Sequence, residues 1–207
     1  YIFPRKTWGD VSPNFGKFHP VTTDKEKSAA YLAKALEETG FASGADLPEF
    51  ILTTQEDPDN PKGVTPYFFS ALSDLGLKVK IDIVTGKQFW STINKPSLGY
   101  DFAVAGWGPD FDDPYTYMGY WQTSSHSVGV TFENEQFDAM LHAANSEMDL
   151  VKRAALLGEA EALFSDIAPA IPFLHWKGAY AAQPGVHGII TASFGQAINY
   201  LYADVDE

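Results

Sequence analysis

Residues 100–107 read YDFAVAGW, a run with apolar side chains on both phases of the two-residue strand period. A strand with two apolar faces must be covered from above and below, and helices lying on either side of a sheet supply that cover most simply. The rest of the sequence contains such helices: helical and strand patterns alternate from residue 24 onward, which predicts an α/β layered fold, a sheet of mixed strands flanked by helices. No linker divides the pattern. Residues 1–207 are therefore expected to form a single lobe, with residues 1–22 as an irregular lead-in and 23–207 as the ordered body.

The elements can be placed from their punctuation. Thr23 followed by Glu26 forms a capping-box pattern, Ala30, Leu32, Ala33 and Leu36 share a face, and Gly40 marks the stop, so a helix is expected over about residues 24–39. EFILTT reads as a strand, QEDPDNPKG as a loop, and VTPYFFSALSDLG as a helix closed by Gly76. LKVKIDIV alternates as a half-buried strand does. A short helix over residues 89–94 leads to YDFAVAGW, expected as a central strand. Two amphipathic helices follow, with Asn134 and Asp149 as N-caps and Pro169 ending the second. AIPFLHW and AINYLYADV are expected as strands on either side of a bend at Gly185 and Gly188.

Charge and composition exclude several functions. The chain carries 27 Asp and Glu against 14 Lys and Arg, a formal net charge of −13, and this field repels nucleic acid and anionic lipid. With no cysteine there is no disulfide, thiolate nucleophile or Cys-based zinc site. No run of about 18 apolar residues is present, so no membrane-spanning helix is expected. The sequence opens at Tyr1 without Met and without a basic-then-apolar leader, as a processed product or an excised fragment would.

The acids Asp110, Asp112 and Asp113 follow the apolar strand directly and sit among aromatics. An EF-hand counted from Asp110 needs Gly at its sixth position and Glu at its twelfth, but finds Tyr115 and Trp121. Asp110 and Asp112 match the short acidic motif of metal-dependent glycosyl-transferring enzymes, without a basic set for a diphosphate. A carboxylate-pair hydrolase needs a separation that sequence does not give. His19, His126, His142, His175 and His187 lack metal-ligand spacing, Ser124 and Ser125 stand outside a nucleophile elbow, and no dinucleotide or phosphate-loop fingerprint calls for a cofactor. A binding surface remains, with Trp107 offering an apolar face and one N–H donor, and Asp110 a charge for an ammonium group. Against it stands a structural reading, with Trp107 in the core and Asp112 capping a short helix begun by Asp113 and Pro114.

Taken in order, LGLKVKIDIV, GYDFAVAGWGPDFDDP, TFENEQFDAML and DLVKRAALLGEAEALFSDIAPAIPFLHW resemble the carboxyl-proximal lobe of the bacterial extracytoplasmic family 5 solute-binding proteins, the oligopeptide and dipeptide receptors of ABC importers. The matching positions are Tyr100-Asp101, Gly106-Trp107, 110–114, 132–138, Arg153 and 169–172. The resemblance implies one lobe of a type II periplasmic-binding-protein fold from a longer receptor, periplasmic or held at the cell surface through a lipid anchor on a segment outside this chain, that is not an enzyme and needs no cofactor or metal. It implies a peptide in a cleft between two lobes, importer permease subunits as partners, and a ligand-binding turn of Gly106, Trp107, Gly108, Asp110 and Phe111. Asp110 would meet the ligand α-amino group and Trp107 would line a side-chain pocket. Some members place a basic residue three positions before the Trp to meet the ligand carboxylate, where this chain has Val104, a departure that favours longer peptides or amino-group solutes. An oligosaccharide receptor of the same fold, stacking sugars on Tyr115, Tyr117, Tyr120 and Trp121, is the alternative within the fold.

Overall fold

The computed structural model describes residues 24–55, 63–95, 99–111, 113–125, 132–174, 180–191 and 198–206. The lead-in, most of the QEDPDNPKG loop, Asp112, His19, His126 and His175 lie outside them. The described residues fall into two compact units, one within Pro20–Gly106 and the other within Trp107–His126 and Phe132–Glu207.

The first unit is built on a parallel three-stranded sheet in the order β2-β1-β3, with β1 at Phe50–Gln55, β2 at Val79–Val84 and β3 at Phe102–Val104. Leu52 lies opposite Ile81 on one side and Phe102 on the other, and the buried run Leu52, Thr53 and Thr54 makes β1 the centre of the sheet. Helix α1 (Lys25–Thr39) is capped by Asp24, whose carboxylate accepts the Lys27 N–H, so the cap is one residue beyond the expected Thr23. Helix α2 (Thr65–Asp74) ends in a Schellman arrangement. Gly76, at φ 78°, donates to Ser73 and Leu77 donates to Leu72, a left-handed turn that glycine adopts without a Cβ clash. Helix α3 (Gly86–Ile93) buries Phe89 and Ile93, and the Tyr100 hydroxyl donates to the Ile93 carbonyl.

Two expectations for this sheet are corrected. YDFAVAGW supplies an edge strand of three residues rather than a central strand, because β3 pairs with β1 alone among the described strands. Apolar faces above and below report what covers a strand; they carry no information about neighbours at its sides, which are joined through the backbone. β2 alternates as expected, yet Ile81 and Ile83 on its apolar side are exposed, at 36% and 63%. A period of two fixes which residues share a face, and covering that face is a separate matter.

The second unit is centred on an apolar core shared by α4 (Tyr115–Met118), α5 (Glu135–Ser146) and α6 (Leu150–Ile167). Tyr117, Met118, Phe137, Leu141, Ala144, Leu157, Ala160 and Phe164 are its buried members. Both long helices carry the expected caps: Asn134 accepts from the Phe137 N–H, and Asp149 from the N–H groups of Val151 and Lys152. α6 ends before Pro169, where Ala168 takes a left-handed conformation at φ 55°.

Two short antiparallel ribbons follow, β4 (Val186–His187) with β7 (Asp204–Val205), and β5 (Ile190–Thr191) with β6 (Ile198–Asn199). The expected AIPFLHW strand does not form over its described residues 170–174, where Pro172 has no N–H to give a ladder. AINYLYADV is split into β6 and β7 by a turn in which the Asn199 side chain accepts from the Leu201 N–H and Ala203 donates to Tyr200. The bend at Gly185 and Gly188 is present, both with positive φ.

Candidate functional site

The ligand-site residues expected from the sequence are divided by the structure. Gly106 belongs to the sheet unit, whereas Trp107, Gly108, Asp110 and Phe111 belong to the helical unit. Within the helical unit, Trp107 and Asp110 converge on Thr116, a buried residue of α4. The Trp107 indole N–H donates to the Thr116 carbonyl at 3.1 Å, and the Asp110 backbone N–H donates to the Thr116 hydroxyl at 3.1 Å. Pro109, with its fixed φ, separates the two anchored residues.

These contacts change what Trp107 has to offer. Its N–H, counted from the sequence as a ligand donor, is used inside the protein. One indole face lies against Tyr120, with ring centroids 4.3 Å apart at 32°. Trp107 is nevertheless 44% exposed, so what it leaves accessible is apolar ring surface. The stack continues inward: Tyr120 meets Trp121 edge-on at 5.8 Å, and Trp121 meets Phe164 edge-on at 5.0 Å. An exposed ring is thus backed by rigid aromatic packing that reaches the core. Phe111 is exposed as well, at 47%. The Asp110 side chain is exposed, and among the described residues no hydrogen bond or ion pair engages its carboxylate.

Asp113 plays a different part from Asp110. Its Oδ1 accepts the Tyr115 N–H in the first turn of α4 at 2.8 Å; the cap expected of Asp112 falls outside the described residues. Arg153 of α6 grips the same carboxylate through two bonds, at 2.6 and 3.1 Å, and its Nε donates to the Ala144 carbonyl at 3.0 Å. A planar guanidinium fits this fork in a way an ammonium does not. The acidic turn, the end of α5 and the first turn of α6 are thereby tied together. Sequence reasoning noticed Arg153 only as part of a motif; its partner lies 40 residues away, and no local pattern signals that pairing. Thr116 was missed for a similar reason, since a Thr between two tyrosines reads as ordinary helix.

The tyrosines expected to stack sugars are already occupied. Tyr117 is in the core, Tyr120 lies between Trp107 and Trp121, and the Tyr115 hydroxyl donates to the Gln122 side chain. Burial raises the pKa of both Tyr117 and Tyr120 above the ordinary phenol value of 10.0. Of the histidines, His142 is exposed and His187 stands near Asp204 and Asp206. Among the described residues no group of three or more His, Asp or Glu is arranged to hold a metal ion, and no helix is long and apolar enough to cross a membrane.

Comparison with known proteins agrees with the motif order. Residues 3–129 match the model of the bacterial extracellular solute-binding proteins, family 5 middle region. The oligopeptide-binding protein OppA of Bacillus subtilis (strain 168) is 27% identical over 192 residues, which covers 92% of this chain and 34% of that protein. Heme-binding protein A of Haemophilus influenzae is 28% identical over 177 residues, covering 83% of this chain and 31% of that protein. The crystal structure of the substrate-binding domain of an oligopeptide ABC transporter from Bacillus anthracis str. Ames superimposes with a TM-score of 0.77 at 25% identity, over 94% of this chain and 37% of that one. The chain thus spans about a third of the length of these relatives.

Proposed function

The chain belongs to the bacterial extracellular solute-binding proteins of family 5, and from that premise we propose that it is the ligand-binding part of a longer receptor that captures oligopeptides for an ABC importer. Its fold is the α/β fold of the type II periplasmic-binding proteins, and its family is one of solute-binding proteins rather than enzymes.

The observation that carries the reading is the pairing of an unengaged carboxylate with an apolar wall on one anchored turn. Asp110 offers charge and Trp107 offers ring surface, and both are fixed to Thr116. A peptide amino terminus presents that combination, an ammonium group followed within a few bonds by a side chain. On this reading Asp110 is the counter-ion of the ligand α-amino group, and Trp107 lines the pocket of a neighbouring side chain. Gly108 and Phe111 shape the same turn, and Gly106 precedes it. Residues 23–207 are then the receptor's ligand-binding lobe, working outside the cytoplasm. A cleft closed over the solute by a second lobe supplies the rest of the site, and importer permease subunits receive the cargo. The prior engagement of Tyr115, Tyr117 and Tyr120 speaks against an oligosaccharide stacked on those rings.

Native mass spectrometry of the full-length receptor, purified gently from its own host, tests the proposal. A heterogeneous set of short peptides leaving with the protein, and their loss in Asp110→Asn, is the expected result. A single defined solute, such as a haem of the kind named for one relative or a sugar, overturns the peptide reading and Asp110's role with it.

A further inference from the structure

We propose that Thr116 is the positioning residue of this site, holding both ligand-facing side chains in register; the proposal rests on the peptide-receptor reading above. The geometry is economical. The hydroxyl of Thr116 accepts the Asp110 N–H and its carbonyl accepts the Trp107 indole N–H, so the ammonium partner and the pocket wall are set by two atoms of one residue. Neither bond uses the Asp110 carboxylate. Both residues held in this way are exposed, while the residue holding them is buried.

Thr116 is itself fixed. Its N–H donates to the Asp113 carbonyl at 3.1 Å, and the Asp113 carboxylate is gripped by Arg153. A path of short contacts therefore runs from α6 through Asp113 and Thr116 to the exposed turn. Pro109 has no N–H of its own, so the Asp110 N–H bond pins the backbone on the near side of the carboxylate. Without it, the direction in which Asp110 projects is set only by the flanking residues, and a charge that must meet an ammonium group at hydrogen-bond distance loses its preorganisation.

The two atoms can be separated by substitution. Thr116→Val keeps shape and the backbone carbonyl, hence the Trp107 bond, and removes only the acceptor for Asp110. Thr116→Ser keeps that acceptor. The full-length receptor and its variants are dialysed to equilibrium against a pool of synthetic penta- to octapeptides with free amino termini, and against the same pool N-acetylated, with bound peptide counted by mass spectrometry. Wild type is expected to prefer the free-amino pool, and Asp110→Asn to lose that preference. Thr116→Val should reduce the preference about five-fold, the scale of one hydrogen bond, while binding the acetylated pool as wild type does; Thr116→Ser should restore it. Thr116→Ala makes the same comparison if the valine variant does not fold. An undiminished preference in these variants, or an equal fall for both pools, overturns Thr116's positioning role and leaves the receptor reading standing. An unchanged preference in Asp110→Asn overturns Asp110's role as counter-ion, and this inference falls with it while peptide capture stands; wild type that binds neither pool overturns the receptor reading itself.

Discussion

Replacing Arg153 by Met should destabilise the helical unit by about 2–3 kcal/mol, between the limits set by exposed and buried ion pairs. Arg153 and Asp113 are 14% and 22% exposed at their side chains, so the pair is neither solvated nor dry. An exposed pair is worth about 0–1 kcal/mol, and breaking a fully buried one costs roughly 3–5 kcal/mol. Arg153 makes two charge-assisted bonds to Asp113 and one to the Ala144 carbonyl. Methionine retains much of the aliphatic stem and abandons all three. The Asp113 carboxylate left behind keeps the Tyr115 N–H and some access to water, which holds the loss below the buried limit.

Urea unfolding followed by tryptophan fluorescence measures this effect, because Trp107 and Trp121 belong to the same unit. A double-mutant cycle with Asp113→Asn should give a coupling of about 1.5–2 kcal/mol, largely retained in 0.5 M (approximately) salt because a shielded pair is weakly screened. Arg153→Lys should recover less than half of the loss, since an ammonium lacks the fork. A coupling under about 0.5 kcal/mol, or one erased by salt, would refute the claim that this bridge fastens the acidic turn to α6.

Three further outcomes are expected. Because burial raises the pKa of Tyr117 and Tyr120 above 10.0, the unfolded chain releases these protons first. Their contribution to stability is then complete below about pH 10 and lost as pH rises through the raised folded values; unfolding midpoints across this range should fall less steeply in Tyr117→Phe and Tyr120→Phe. Asp149→Ala removes the acceptor for two N–H groups at the start of α6 and should cost about 1 kcal/mol in the same urea assay, with Asp149→Asn close to wild type. Gly188→Ala places a Cβ against the Tyr202 carbonyl oxygen at φ 72° and should cost about 1–3 kcal/mol, read as faster amide exchange in the two ribbons.

The elements whose boundaries rest on local chemistry were legible in the sequence. Asn134 and Asp149 cap their helices as their side chains predict, Gly76 closes α2, and Gly185 and Gly188 bend the chain, because each of these residues acts on a backbone group only a few positions away. The order of motifs also sufficed to place the chain in its family. The two failures in the sheet share one cause. Making YDFAVAGW central required knowing its lateral neighbours, and burying Ile83 required knowing what covers β2; both are settled by segments distant in sequence.

The candidate site divides in the same way. Sequence alone put an acid and a Trp three positions apart after an apolar strand, which fixes the available chemistry: one negative charge and one broad ring. Tertiary structure decided how that chemistry is presented. It engaged the indole N–H with the Thr116 carbonyl, left the Asp110 carboxylate exposed, and made Asp113 a structural anchor through Arg153. Asp110 and Asp113 are alike as letters, and they come to differ through the positions of donors elsewhere in the chain. A carboxylate that meets a guanidinium across 40 residues becomes part of the scaffold, whereas one turned toward water keeps its charge available.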